Sequence, residues 1–405
     1  MAQKIIPCFF LFYLSFSLFS QEYSFNQEEG MRYRIVSEVN ESVWLEKSLL
    51  GQSTILNRIG VEVLSSDPEG ALLEVSYGIS EKSLDTGLYI YNRDDVRQFY
   101  RSHIGLYGQI PLDEYLPSVR NVPTWPEHSL QQGDSWSAMA EEVHDLLPFF
   151  QVDYRLHIPF RVFYTFVGVS DYEGRSVDII EINYHFLKRI DTLSLPPDSL
   201  PGKEFDIPGG VSGDFKQTYL WDREAGIPAA VEEEFSISYS MASGRNYTFK
   251  GNAKGKVIEA DQWIKEEVRD RIEDAVEEID DISVSISDAG VVLTLDNIHF
   301  VADSSEFLPE EESKLMQLKD ILLQFPEHDL LITGHTAKVG FSSDEGQQLS
   351  EERAAAVASF FLSEHVREAS GMIVQGKGSR EPLGDNSSEE GRRKNRRVEI
   401  TILDN

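Results

Sequence analysis

Cysteine is almost absent from this chain of 405 residues; the single one is Cys8. No intrachain disulfide can form, so whatever folds here is held by its own core. Basic residues are scarce as well, 37 Lys and Arg against 69 Asp and Glu, and the formal net charge is −32. A field of that sign repels phosphate backbones and anionic lipid, which excludes a general nucleic-acid binder. The run from Arg393 to Arg397 departs from it locally and reads as the basic end of a strand. After the first twenty residues no apolar run approaches the ~18 residues of a membrane-spanning helix. There is no nucleophile elbow, no glycine-rich phosphate loop and no zinc-protease helix motif, so an enzyme is not expected. His335 has no second His or Cys at ligand spacing nearby, and neither a metal nor a cofactor is expected.

What is present begins with an address. Lys4 precedes an apolar stretch from Ile5 to Phe19, and the small Ser20 follows it. That is the pattern of a secretory signal over residues 1–20, cleaved near Ser20. Cys8 lies too early in it to serve as a lipoprotein acceptor. The rest is long enough for more than one domain, since single cores stop growing near ~250 residues, and its 41% hydrophobic content is that of a folded protein.

Residues 21–260 read as a β-rich domain. Met31, Tyr33 and Ile35 alternate with polar neighbours, as do Ile59, Val61 and Val63, and then Leu73, Val75, Tyr77 and Ile79. A proline-rich stretch with Pro111, Pro117, Pro123 and Pro126 suggests a subdomain boundary near 110–135. A longer set of hairpins follows. Val152 to Val162 pairs with Ile180 to Phe186 across the turn at Asp171 to Gly174, and Val231 to Met241 turns at Ser243 to Asn246 into Tyr247 and Phe249. Between these hairpins, Leu195 to Gly213 reads as a Pro and Gly loop ending in a flexible Gly209-Gly210-Val211-Ser212-Gly213. Repeated long hairpins predict a curved antiparallel sheet or open barrel, lipocalin-like in general form. A transmembrane barrel is disfavoured because charges such as Glu232 to Glu234 interrupt the apolar face that each strand would show to lipid.

The period changes over residues 261–283, where Trp263, Val268, Ile272, Val276 and Ile279 recur at helical spacing opposite a charged face. This predicts a linker helix that docks on its own domain. Residues 284–405 then read as strand, helix, strand, helix, strand, strand. Pro309 opens the first helix, with Leu315, Leu318 and Leu322 facing inward; Ser350 stands as the N-cap of the second, with Ala354, Val357 and Phe361 inward. The fold class is α+β, with two helices on one face of a small sheet.

Several spaced elements carry a family signal in this last region. They are Gly334-His335-Thr336-Ala337, Leu349-Ser350-Glu351-Glu352-Arg353-Ala354, Gly376-Lys377-Gly378, Pro382, Asn386, and Gly391-Arg392-Arg393-Lys394-Asn395-Arg396-Arg397-Val398-Glu399. In this order they resemble the OmpA-like peptidoglycan-binding domain, a βαβαββ sandwich. The resemblance implies a protein of the periplasm or outer membrane that associates with peptidoglycan and links it to the outer membrane or to an envelope partner. The alternative is a periplasmic interaction or hydrophobic-ligand-binding protein that keeps the OmpA-like fold without recognising the cell wall.

By the same resemblance the ligand is the zwitterionic diamino acid of the peptidoglycan stem peptide. Arg353 forks onto its carboxylate, in the opening turn of the second helix, and an Asp at position 337 would hold its ammonium. Ala337 stands there instead and offers nothing to a cation. Asp344 or Glu345, in a loop one residue longer than usual, is placed to replace it, or both are solvated loop carboxylates. Thr336 belongs to the same turn, Asn386 bonds the ligand-side loop, and Arg397 braces or lines the site from the last strand. Mass spectrometry of the secreted protein is expected to show an unlipidated N-terminus near Gln21; a lipid-modified Cys8 would refute the signal reading.

Overall fold

The computed structural model describes residues 23–191, 195, 206–259, 265–277, 279–287, 289–296, 307–338 and 343–404. The signal segment with Cys8, Trp263 and most of the stretch from Leu195 to Asp206 lie outside them. Strands β1 (Arg32–Leu45), β2 (Ser48–Asp67), β3 (Gly70–Lys82) and β4 (Tyr89–Ser102) form a meander. After the proline-rich stretch come β5 (Val119–Arg120), β6 (Ser135–Asp145) and the single turn α1 (Leu147–Phe150). A second meander follows, β7 (Arg155–Tyr172), β8 (Arg175–Arg189), β9 (Pro208–Asp222), β10 (Ile227–Met241) and β11 (Asn246–Glu259). β11 pairs with β1, so both meanders join in one antiparallel run, β4-β3-β2-β1-β11-β10-β9-β8-β7-β6-β5.

The expected alternation sets the inner face. Phe160, Tyr184 and Phe215 stack across β7, β8 and β9 with ring centroids 4.5 Å apart at each step, and Phe235 on β10 extends the row at 6.3 Å. The proline-rich stretch is fastened to this sheet. Its Trp125 is 1% exposed, packed 4.6 Å from Trp221 and 5.0 Å from Tyr23.

Two expectations are corrected in this half. Gly209 to Gly213 is not a flexible loop but the start of β9, where Gly213 pairs with Ile237 and with Phe186. A Cβ at Gly213 would lie 2.4 Å from the Phe186 ring, so glycine here gives an aromatic ring room to lie on the strand. The second concerns β4, absent from the periodic reading. Arg93, Asp94, Asp95 and Arg97 interrupt its apolar pattern, and the strand offsets them with ion pairs, Arg97 to Glu114 at 2.6 Å and to Asp95 at 3.1 Å.

The C-terminal half contains α2 (Lys265–Val276), β12 (Ile282–Ser287), β13 (Gly290–Asp296), α3 (Pro309–Leu322), β14 (Leu330–His335), α4 (Ser343–Ser363), β15 (Met372–Gly378), α5 (Glu389–Asn395) and β16 (Arg397–Leu403). Its strands lie in the order β12-β13-β16-β14-β15, with β14 and β15 parallel. Leu315, Leu318, Leu322, Ala354, Val357 and Phe361 are fully buried in one core. Val268, Ile272 and Val276 of α2 enter that same core. Among the described residues no helix is long and apolar enough to cross a membrane.

The two halves share a sheet. β15 pairs in parallel with the start of β4, Ile373 opposite Tyr89 and Val374 opposite Ile90, and Leu88 is fully buried in the C-terminal core. Beside this seam Asp329 Oδ2 accepts from Arg34 Nη1 at 2.7 Å and Arg58 Nε at 2.9 Å. Both arginines are buried, and Arg58 also donates to the carbonyl of Ser370. Removing the shared acceptor leaves two buried guanidinium groups without their carboxylate, a loss of about 3–5 kcal/mol. Asp329→Ala is therefore expected to lower the urea midpoint of the whole chain; an unchanged midpoint would show the seam to be energetically idle.

Candidate functional site

The residues singled out in the sequence converge at one end of the C-terminal sheet. β14 ends at His335, and Thr336 N donates to Gly378 O at 2.8 Å, so the turn after β14 is tied to the end of β15. α4 crosses directly over these strand ends. A Cβ at Gly334 would fall 1.9 Å from Ser350 O, and only glycine permits that approach. Ser350 is not the N-cap: α4 begins at Ser343, and the Ser350 hydroxyl donates to Gln347 O at 2.7 Å and accepts from Gly378 N at 2.9 Å. Gln347 Nε2 reaches Gly376 O at 2.6 Å. The side chains that looked like a helix start instead bolt α4 to β15.

This earlier start moves three charges. Asp344 and Glu345 are exposed residues of the first turn of α4, where the helix dipole favours acids, and not of a loop. Arg353 stands ten residues into the helix (353 − 343), so the open N–H groups of the helix end do not assist it. It is half-buried and lies one turn beyond Ser350 on the same side of the helix.

The turn itself is held from below. Asn386 Oδ1 accepts from Lys338 N at 2.9 Å and from Asn395 Nδ2 at 3.0 Å. Asn395, 1% exposed, is the hub of the neighbouring loop: its Oδ1 accepts from Leu383 N and Gly384 N, both at 2.8 Å, and its Nδ2 donates to Gly384 O at 2.9 Å. Asn395 stands within the sequence motif without a legible role, because its partners lie on a separate loop. A Cβ at Gly391 would fall 2.1 Å from Asp385 O, which is how closely α5 lies against that loop. Thr336 is buried with its hydroxyl 3.5 Å from Gly346 O, while Ala337 is half-buried and Lys338 exposed.

Arg397 is 3% exposed, with Nε on Glu399 Oε1 at 2.7 Å and Nη1 on Glu381 O at 3.1 Å. It braces the loop after β15. His335 Nε2 lies 3.3 Å from Glu399 Oε2, within ion-pair range and outside good hydrogen-bond alignment. Burial alone raises the Glu399 carboxyl, but His335 and Arg397 outweigh it and hold it at about 2. Among the described residues no group of three or more His, Cys, Asp or Glu is placed to hold a metal.

The arrangement is a braced turn on an α+β scaffold, and the scaffold is that of an OmpA-like domain. Residues 299–396 match the OmpA family. The chain is 33% identical over 122 residues to the probable lipoprotein YiaD of Escherichia coli K12, a match covering 30% of this chain and 55% of that protein. It is likewise 33% identical over 114 residues to outer membrane porin F of Pseudomonas aeruginosa, covering 28% of this chain and 32% of the porin. Among solved structures it is similar to an outer membrane protein from Borrelia burgdorferi B31, at 33% identity over 30% of this chain and 96% of that one, with a TM-score of 0.25. The chain thus spans about half or less of the length of these two curated relatives.

The Glu399 cluster generates a pH prediction. A carboxyl held below its unfolded value adds stability above the unfolded pKa, and that stability is lost as pH falls toward about 2. Glu399→Gln is therefore expected to destabilise the protein at neutral pH, with the gap from wild type narrowing below about pH 4. Thermal unfolding across that range checks it; a gap that stays constant would mean the ion pairs contribute nothing.

Proposed function

We propose that the C-terminal domain binds the peptide stem of peptidoglycan. The chain is then a non-enzymatic cell-envelope protein that links the wall, through its N-terminal sheet, to the outer membrane or an envelope partner. The observation that carries this reading is the retained scaffold of the turn. Asn386 holds Lys338 directly, while Ser350, Asn395 and Arg397 hold Gly378, Gly384 and Glu381 in the neighbouring segments, and such bracing serves a turn that must keep its shape. The relatives include proteins named for the outer membrane, outer membrane porin F of Pseudomonas aeruginosa and outer membrane protein A of Bordetella avium.

Ala337 sets the affinity. Arg353 supplies the fork for a carboxylate, while the ammonium of a diamino acid meets a methyl group beside the exposed Lys338. A charged hydrogen bond is worth ~1.5 to 3 kcal/mol, so recognition through the carboxylate alone is weak. Asp344 is exposed in the first turn of α4 and is the acid nearest in sequence to take the missing role. The second reading, a hydrophobic ligand in the N-terminal sheet, gains less support. The inner aromatic row is packed ring on ring; a surface groove of about 830 Å³ mixes Asn40, Lys82 and Glu234 with Leu84 and Phe235, and one of about 540 Å³ sets Val36, Leu56 and Leu220 beside Glu38, Glu232 and Lys254.

Calorimetry with a diamino-acid stem peptide and pelleting with isolated sacculi test the proposal. Ala337→Asp is expected to tighten binding by up to ~2 kcal/mol, roughly thirtyfold, and Arg353→Ala to abolish it. If Asp344 already serves the ammonium, the gain at 337 shrinks and Asp344→Ala weakens binding. Binding to sacculi that ignores both 337 and 353 would move the function away from this turn.

A further inference from the structure

The continuous sheet ends in two edges that differ in kind. At one end β5 is two residues long, and its Arg120 is 6% exposed, with donors on Pro117 O, Glu114 O and Glu141. That edge is short and charged, the usual way a sheet is closed to further strands. At the other end β12 runs for six residues, Ile282–Ser287, with no charge, no proline and no register shift against β13. Among the described residues no strand pairs with its outer edge. Ile282 and Val284 face the core, and Ser283 and Ser285 are exposed.

The sequence of this edge is its own complement. Ile282-Ser283-Val284-Ser285-Ile286 reads the same in either direction. Antiparallel pairing of two copies about a two-fold axis at Val284 places each Ser283 opposite the partner copy's Ser285 and each Ile282 opposite its Ile286. Apolar residues then continue the core face and hydroxyls meet hydroxyls on the other, the like-with-like pairing that stabilises cross-strand neighbours. An isologous contact of this kind closes on itself and stops at two copies.

We infer that β12 is a self-association edge, through which a second copy of this chain adds its own β12 antiparallel and joins the two sheets into one. Every main-chain group on the edge gains a partner, and the strand needs no rearrangement to offer them. The contact is narrow, so the dimer is weak, and each copy carries a net charge of −32, so the copies repel until salt screens them.

Sedimentation of the full chain at low and at high salt reads the inference directly. A monomer–dimer equilibrium shifting toward dimer with added salt is expected, and Ser283→Lys combined with Ser285→Lys, which sets lysine against lysine across the axis, should weaken it at least roughly tenfold. Both serines are exposed, so this variant keeps the monomer fold, checked by an unchanged melting curve. In a Cys8→Ser background, Ser283→Cys with Ser285→Cys should give a disulfide-linked dimer, since opposed Cα atoms in such a pair lie about 4.5–5.5 Å apart. A chain that stays monomeric at every salt concentration overturns the inference. So does a dimer indifferent to the lysines, or a cysteine variant that does not cross-link.

Discussion

Two buried guanidinium groups on one carboxylate impose a condition on everything around them. Arg34 and Arg58 project from neighbouring strands of the N-terminal sheet, and Asp329 stands just before β14 of the C-terminal one. Neither arginine could be buried on its own, because the desolvation of an unpaired cation exceeds what local packing returns. The halves therefore fold as partners. Leu88 in the C-terminal core and the β4–β15 pairing follow from the same docking, which sets β14, β15 and the turns beyond them in one orientation to the long sheet.

How much of this the sequence discloses depends on how local the cause is. The hairpin of β7 and β8 was legible because inward residues from Leu156 to Phe166 alternate without a break and the turn chemistry marks its end. Pro309 and the leucines of α3 were legible for the same reason at helical period. β4 was not, since its polar centre is satisfied by Glu114, a residue of the connecting stretch that only the fold brings near. The start of α4 was misplaced because Ser350 has the chemistry of a cap, and nothing local tells that its hydroxyl is already engaged with Gly378.

The candidate site divides along the same line. Its members could be named from the motif, but their roles separate only in three dimensions. Arg397 and Asn386 hold loops, their polar atoms committed to Glu381, Glu399, Lys338 and Asn395. Ala337 and Lys338, following the buried Thr336, form the surface that those residues present. Asn395 touches no solvent and bonds twice to backbone N–H groups, so its influence on the turn passes through Asn386 alone. A site built in this way tolerates a change at the tip, such as Ala337, without losing the shape of the rest.

The seam between the halves also has a mechanical meaning. Tension between the halves crosses one strand pair, two residues long, and the carboxylate of Asp329 before it reaches the covalent chain that leads from β11 into α2. Those contacts are the narrowest section of the load path. Being non-covalent, they yield before the peptide backbone does and can re-form when the strain is released: the junction has the make-up of a resettable fuse between the two halves.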